Sequence, residues 1–220
     1  MLRPRPYLSF SQMAKLEMSP EKFVAEYLYE EKGRITRNMA YGSKLADGLM
    51  DDEASGDPML DLVAAKLPKF ELMDMPVTDP KGTDILFNRK GEEFAACVPT
   101  LINKGDDIPL LALPDTAKPD YSAFKEYKSS VKRWTQKMAD ESGQITFYTT
   151  TMWIATGSIP DDIELVNAQT RYNDDGSVEA TGEIFVIRTK RTMGDVIRMT
   201  GRIRRAWQGI GELCEKELLS

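Results

Sequence analysis

Short β-like runs separated by turn residues occupy the middle of the chain, between about residues 70 and 130, and helical patterns lie on both sides of them. Turn signals such as Lys90-Gly91 and Gly105-Asp106-Asp107 divide several of these runs. This order predicts an α/β core with helical flanks. The strands predicted in this region are Asp84–Phe87, Phe94–Val98, Ile108–Leu113 and Ala123–Lys128.

The helices before the strands are predicted from their start signals. Ser9 followed by Gln12 resembles a capping box, and Ser19-Pro20 supplies an N-cap and a proline at the first helical position. Two more helices are expected at about residues 38–50 and 60–67. The elements expected after the strands are a helix over Asp140–Thr156, a hairpin of Glu164–Tyr172 and Gly182–Arg188, and a helix over Asp195–Leu218.

The length of 220 residues predicts one domain. A chain of this size buries roughly 70% of its unfolded surface, so it needs no disulfide or metal to hold the fold. We expect a helical N-terminal part over residues 1–68, a core over 69–157, and a hairpin with a basic C-terminal helix over 158–220.

The chain contains no histidine and only two cysteines. These counts exclude Ser-His-Asp and Cys-His catalysis, zinc sites made with histidine, four-cysteine zinc sites and four-thiolate iron–sulfur clusters within one chain. Acid–base or metal chemistry must therefore use Asp, Glu, Lys, Tyr or Cys side chains. We expect no zinc.

Charge is distributed unevenly along the chain. The net charge is −6, yet the segment from Arg188 to Arg205 holds seven basic residues and one acid, so this segment carries +6 and the rest −12. Within it, Arg198, Arg202 and Arg205 form one stripe of the last helix and are candidate phosphate contacts. A solvated helix face is the alternative interpretation of this stripe.

A candidate catalytic group lies at the end of the predicted strands. Asp115 follows an apolar strand, and Glu126-Tyr127-Lys128 begins eleven residues later. Glu126 and Lys128 must share one face of their strand, because side chains alternate along it. Paired carboxylates are ligands that Mg²⁺ prefers, and a lysine beside them can orient an attacking water or stabilise charge on a phosphate. A solvated strand edge is the alternative.

The next predicted helix carries Gln144 and Tyr148, which are four residues apart and so lie on one face. These two side chains together could reach a phosphate or a base. The alternative is that they form a partly buried flank of the helix.

These motifs together resemble the PD-(D/E)XK nuclease superfamily, in its RecB-like exonuclease branch. The succession is Pro114-Asp115, Glu126-Tyr127-Lys128 and Gln144-Ile145-Thr146-Phe147-Tyr148. Upstream, the serines Ser9 and Ser11, the segment Ser19-Pro20-Glu21-Lys22-Phe23 and the helix Gly42-Ser43-Lys44-Leu45-Ala46 are similar to segments that often precede this core in the branch. The resemblance covers roughly residues 7–155.

The resemblance implies a restriction-endonuclease-like fold, in which helices flank a mixed central sheet, followed here by the basic C-terminal helix. It implies that Asp115 and Glu126 bind Mg²⁺ or Mn²⁺ with the Tyr127 carbonyl, and that Lys128 positions the water. Gln144 and Tyr148 would hold the DNA strand. The activity implied is that of a metal-dependent deoxyribonuclease, most similar to exonucleases of phage or bacterial recombination and repair, which could act with a single-strand annealing or recombination partner.

The sequence departs from the branch pattern at two positions. Ser19 stands where iron–sulfur members have a cysteine, so no iron–sulfur cluster is expected. Ala46 stands where a histidine often completes the metal or water site. Asp47 and Glu93 are the two candidate replacements.

Three functions are compatible with these observations. The first is a DNA nuclease, the second a non-cleaving nucleic-acid-binding protein with the same fold, and the third an acidic protein–protein adaptor. The amino terminus lacks the apolar run of a signal peptide, and no apolar stretch approaches the ~20 residues that span a bilayer. We therefore expect a cytoplasmic protein, in a bacterial or phage-infected cell, with no membrane partner.

Overall fold

The computed structural model describes residues 4–5, 7–31, 35–50, 56–66, 77–78, 84–85, 95–98, 108–118 and 120–219. The helices are α1 (Phe10–Met18), α2 (Pro20–Phe23), α3 (Arg37–Met50), α4 (Pro58–Lys66), α5 (Gln136–Asp140), α6 (Gly143–Thr156) and α7 (Met193–Leu218), and a π-helical turn over Val24–Leu28 follows α2. The strands are β1 (Leu8–Ser9), β2 (Val77–Thr78), β3 (Asp84–Ile85), β4 (Ala95–Val98), β5 (Ile108–Leu111), β6 (Thr116–Ala117), β7 (Ala123–Ser130), β8 (Asp162–Tyr172) and β9 (Val178–Thr189).

The sheet that carries the candidate catalytic residues has the strand order β6-β7-β8-β9. Strands β7 and β8 are parallel, whereas the two outer pairs are antiparallel, so the sheet is mixed. A parallel pair needs a crossover connection, and α5 with α6 supplies it. A second sheet has the order β1-β5-β4, and β2 pairs with β3.

Helices cover both faces of the central sheet, as the predicted fold class requires. On one face, α3 and α4 pack against the sheet through a small core made by Tyr41, Leu45, Leu60, Val63, Tyr127, Val166, Ala168 and Ala180. On the other face, α6 and α7 contribute Ile145, Met152, Ile203 and Ile210 to the larger core, which also includes Phe124 and Leu165 of the sheet. A mixed sheet with helices on both faces, followed by the long helix α7, confirms the predicted α/β architecture.

The predicted strands are found with shifted ends. Strand β5 ends at Leu111, and β7 continues to Ser130. Both hairpin strands are longer than predicted, and the turn between them includes Gly176, whose φ of +74° favours glycine. Strand β3 lies within the strand predicted over Asp84–Phe87, and β4 lies within the one predicted over Phe94–Val98. The other residues of these two predictions lie outside the described ranges.

The helix predicted over about Asp140–Thr156 is present as α6 but begins three residues later, at Gly143, and the short helix α5 before it was not predicted. Helix α5 ends at Asp140, and Ser142 then caps α6 by accepting a hydrogen bond from the Ile145 N–H. Thr135 caps α5 in the same way through Met138. Each cap satisfies a backbone donor at the start of its own helix, so α5 and α6 begin separately.

The other helix starts agree with the sequence signals. Ser9 and Gln12 form a reciprocal capping box on α1, and Ser19 caps α2 ahead of Pro20. Helix α7 begins two residues earlier than predicted, because Thr192 and Asp195 form a second capping box. None of the helices in the described ranges is sufficiently long and apolar to span a membrane.

Candidate active site

Asp115 lies beside the middle of β7. Strand β6 pairs with β7 so that Thr116 faces Lys125, and one further step in the same register places Asp115 opposite Glu126. The Tyr127 N–H donates to Asp115 Oδ2 at 2.6 Å. The two carboxylates that the sequence placed eleven residues apart are therefore brought together by one antiparallel pairing.

Glu126 and Lys128 share a face of β7, as the strand alternation predicts. Lys128 Nζ donates to Glu126 Oε1 at 2.6 Å and to Gln144 Oε1 at 2.8 Å. Gln144 Nε2 in turn donates to the Tyr148 hydroxyl at 2.8 Å. These hydrogen bonds join β7 to the first two turns of α6. They connect four of the predicted site residues, which are Glu126, Lys128, Gln144 and Tyr148.

The site is partly enclosed. The Glu126 residue is 3% exposed, whereas the Lys128 side chain keeps 26% of its surface accessible, so the ammonium lies at the boundary between the interior and the solvent. A cavity of about 390 Å³ is lined by Asp115, Tyr127 and Lys128. Asn38, Met39, Gly42 and Leu45 of α3 and Ser129 of β7 complete its lining.

Gly42 allows α3 to approach β7 closely at this cavity. A Cβ atom on Gly42 would lie 3.1 Å from Ser129 Oγ, which is closer than ordinary van der Waals contact. An added Cβ atom would require the Ser129 side chain to shift by a few tenths of an ångström. Gly42 and Ser129 both line the cavity beside Asp115.

The oxygen donors of Asp115, Glu126 and Tyr127 fit a divalent magnesium or manganese ion. The two carboxylates and a main-chain carbonyl of Tyr127 are hard oxygen donors, and Mg²⁺ is usually bound through one or two carboxylates while it retains several waters. Within the described ranges no three His, Cys, Asp or Glu side chains form a cluster that could hold a metal by themselves. The residues present therefore match a two-carboxylate site.

The residue that would replace the absent histidine is not identified. Ala46 and Asp47 lie in α3, but their side chains are outside the described residues, and Glu93 is outside them entirely. Both candidates stay predictions.

Asn167 is a residue of this region that the sequence analysis missed. It is fully buried in β8, and its Nδ2 donates to the Lys128 carbonyl at 3.1 Å and to Ser130 Oγ at 2.9 Å. Its Oδ1 accepts the Trp134 N–H at 3.0 Å. Asn167 thereby fixes the end of β7 and the chain that leaves it. An asparagine within the apolar run Leu165-Val166-Asn167-Ala168 was the available signal.

A second missed group is a row of charges on the opposite face of the sheet. Lys125, Glu164 and Arg188 are in register across β7, β8 and β9. Lys125 Nζ donates to Glu164 Oε2 at 2.5 Å, and Arg188 Nε donates to Glu164 Oε1 at 3.1 Å. Burial by itself raises the pKa of Glu164, but hydrogen bonds and the charges of both cations outweigh burial and lower that pKa.

The three arginines predicted to contact phosphate lie on α7, and the structure gives two of them partners within the protein. Arg198 pairs with Asp195 at 2.6 Å, and Arg202 makes a two-pronged ion pair with Glu17 of α1. Arg205 is exposed. A Cβ atom on Gly143 would lie 3.5 Å from Arg202 Nη1, so this guanidinium lies near the start of α6.

Arg191, which the sequence counts with the basic segment, has a structural role. It is 7% exposed and donates to the carbonyls of Ala139 and Ser142 and to the hydroxyls of Thr146 and Thr189. The guanidinium therefore joins the end of α5 to the start of α6. The positive charge that faces the solvent from this segment is smaller than the sequence count indicates.

No protein-family model matches the chain, and no curated protein matches it. Among solved structures, the chain is similar to the crystal structure of an alkaline exonuclease from Laribacter hongkongensis, with 14% identity and a TM-score of 0.48. The alignment covers 96% of this chain and 92% of that chain. The function proposed below rests on the site described above.

Proposed function

We propose that this protein is a metal-dependent deoxyribonuclease that hydrolyses phosphodiester bonds, acting as an exonuclease. The observation that carries this proposal is the hydrogen-bonded group of Glu126, Lys128 and Gln144, next to which Asp115 accepts the Tyr127 N–H. Two carboxylates and a lysine in one place are the groups that metal-assisted phosphodiester hydrolysis requires.

Lys128 has the position needed to act on a water molecule or a phosphate. Its ammonium carries three N–H donors, and Glu126 and Gln144 accept two of them. The third would serve a phosphate oxygen or the attacking water at the accessible part of this side chain, 26% of which is exposed. Because the two acceptors fix the ammonium, its charge is oriented before the substrate arrives.

Asp115, Glu126 and the Tyr127 carbonyl would hold Mg²⁺ or Mn²⁺. Such an ion, when bound, polarises a phosphoryl oxygen and lowers the pKa of a coordinated water. Asp115 also accepts the Tyr127 N–H, which fixes the orientation of this carboxylate relative to β7. The hydrogen bond from Lys128 holds the Glu126 carboxylate in the same way.

Gln144 and Tyr148 are proposed to contact the DNA strand beside Lys128. Their side chains are linked by a 2.8 Å hydrogen bond and project from one face of α6. We further propose that the enzyme works in the cytoplasm, on DNA ends in recombination, repair or phage DNA processing, with a single-strand annealing or recombination protein as partner.

Incubation of the protein with linear, circular and single-stranded DNA, with Mg²⁺ or Mn²⁺ or with EDTA, tests this function. We expect degradation of linear DNA that needs the metal, loss of this degradation in Lys128→Ala, and resistance of covalently closed circular DNA. Arg171→Gln, which removes an exposed charge at the hairpin, is the matched control. No metal-dependent degradation of any DNA by the wild type would overturn the proposal and favour the non-cleaving binding protein.

Neutralising the α7 arginines is expected to weaken DNA binding in a salt-dependent way. Each phosphate contact contributes about 0.7–0.9 to the slope of log affinity against log salt concentration. In a Lys128→Ala background without metal, changing Arg198, Arg202 and Arg205 to Gln should flatten that slope by roughly two to three units. The Arg202–Glu17 pair is partly exposed, so its loss should cost at most about 1 kcal/mol of stability.

Fluorescence anisotropy with a labelled duplex at several salt concentrations measures the slope. The Arg171→Gln variant in the same background supplies the comparison for loss of charge elsewhere. A change smaller than about half a unit, which is less than one phosphate contact, would show that the α7 stripe is only a solvated face.

A further inference from the structure

A second concave surface lies at the outer edge of the central sheet, two strands away from Lys128. It has a volume of about 530 Å³ and lies between residues 133–136 and residues 186–188 of the edge strand β9. We name it the β9 cleft. It is distinct from the cavity that Asp115 lines, because the two share no lining residue.

Two arginines line the β9 cleft, one from each face of the edge strand, because Arg133 lies over Phe185 and Arg188 is three positions further along β9. The Arg133 guanidinium lies over the Phe185 ring, 3.7 Å from its centroid. Arg188 is anchored through its Nε by the buried carboxylate of Glu164 at 3.1 Å, while 78% of its side chain stays exposed. Both cations are therefore oriented in advance, and both remain open to a ligand from the solvent.

The sheet register connects the β9 cleft to the active site. Lys128, Asn167 and Phe185 are paired in turn across β7, β8 and β9, so their side chains lie on one face of the sheet. Two strand spacings separate Lys128 from Phe185, which is about 10 Å. Because Asn167 binds the Trp134 N–H, the segment between β7 and α5 is held over this row and brings Arg133 to Phe185.

We propose that the β9 cleft binds a single-stranded segment of DNA next to the scissile site. An unpaired base would stack on the outer plane of the Arg133 guanidinium on one face of β9. The strand would then cross the edge of the sheet, and a phosphate would accept hydrogen bonds from the outward N–H groups of Arg188 on the other face. This inference rests on the proposed nuclease function, since it extends the substrate path from Lys128.

The chemistry of the cleft favours a single strand over other anions. Single-strand sites combine a positive groove with flat surfaces on which bases stack, and arginine planes serve as such surfaces. A duplex offers its phosphates but no free base face to Arg133. The exposed Lys132 and Lys190 adjoin the cleft residues in the chain and increase its positive charge, although the whole protein carries −6.

Anisotropy of a labelled oligothymidylate in EDTA tests the cleft, with a blunt duplex of equal length as the second probe. We expect Arg133→Ala to bind the oligothymidylate roughly ten-fold more weakly, the loss typical of one stacked base, with duplex binding changed by less than about two-fold. Phe185→Leu removes the ring under Arg133 without changing charge and should reproduce part of this loss. Arg188→Gln should reduce the salt slope by about one unit.

Arg171→Gln is again the matched control, since it removes an arginine from the same hairpin but outside the cleft. The inference would be overturned if Arg133→Ala and Arg188→Gln bound oligothymidylate as tightly as this control does. Equal competition by polyglutamate and by unlabelled oligothymidylate would also overturn it, because the cleft would then be a general anion site. Metal-dependent degradation of duplex DNA by the wild type is measured separately, so failure of the cleft and failure of the nuclease function are distinguished.

Discussion

Asp115→Asn and Glu126→Gln are each expected to lower the rate of DNA cleavage by at least about 10²–10³-fold, the loss that follows removal of one oriented electrostatic group from an active site. Both variants remove a negative charge from the proposed metal site while they keep the size of the side chain. Initial rates on linear DNA, at saturating Mg²⁺ and again at Mn²⁺, give the measurement.

The asparagine variant is preferable to alanine because of the Tyr127 N–H. Asp115 Oδ2 accepts this N–H at 2.6 Å, and an asparagine oxygen can do the same. Asp115→Ala would leave a donor of a buried residue without this acceptor, which costs about 1–3 kcal/mol. Comparison of the two variants by thermal unfolding therefore separates loss of catalysis from loss of the fold.

Asp161→Asn serves as the control for removal of a carboxylate. Asp161 is exposed and precedes β8, away from the residues that line the cavity. The Asp161→Asn variant should therefore cleave DNA at the wild-type rate. Wild-type rates in Asp115→Asn or Glu126→Gln would show that these carboxylates do not form the active site.

Local periodicity predicted the relation between Glu126 and Lys128, because it depends only on covalent geometry. Side chains alternate along any strand, so i and i+2 had to share a face, and on that face the structure has a 2.6 Å ion pair between them. The same holds for Gln144 and Tyr148, four residues apart on α6. These parts of the site required no knowledge of the tertiary fold.

The parts that the sequence did not predict depend on contacts between distant segments. Asn167 and Glu164 each bind residues of β7 that lie 39 positions earlier, and only the strand register reveals the partners. Arg191 looks like one more surface cation in the sequence, yet it is buried against carbonyls 49 and 52 positions away. Composition counts charges but gives no information on which of them face the solvent.

Glu164→Gln is expected to destabilise the protein strongly at neutral pH. Lys125 and Glu164 are 7% and 5% exposed, so loss of the carboxylate charge leaves a buried ammonium without its counter-charge. Breaking a buried pair in this way costs about 3–5 kcal/mol. For a chain of this length that corresponds to a fall in Tm of roughly 6–20 °C. Glu179→Gln breaks the exposed pair with Arg171, which water and salt screen, so its Tm should stay close to that of the wild type.

The difference in stability between the wild type and Glu164→Gln should also depend on pH. Because Lys125 and Arg188 hold the pKa of Glu164 below its usual value of 4.5, the carboxylate's contribution is fully present above pH 4.5. It is lost as the pH falls through the lowered pKa, since protonation then removes the same charge that the substitution removes. Melting curves of both proteins from neutral pH down to the acid limit of folding should therefore converge only below pH 4.5. A Tm difference that is the same at every pH, or that matches Glu179→Gln, would mean that the charge of Glu164 does not stabilise the central sheet.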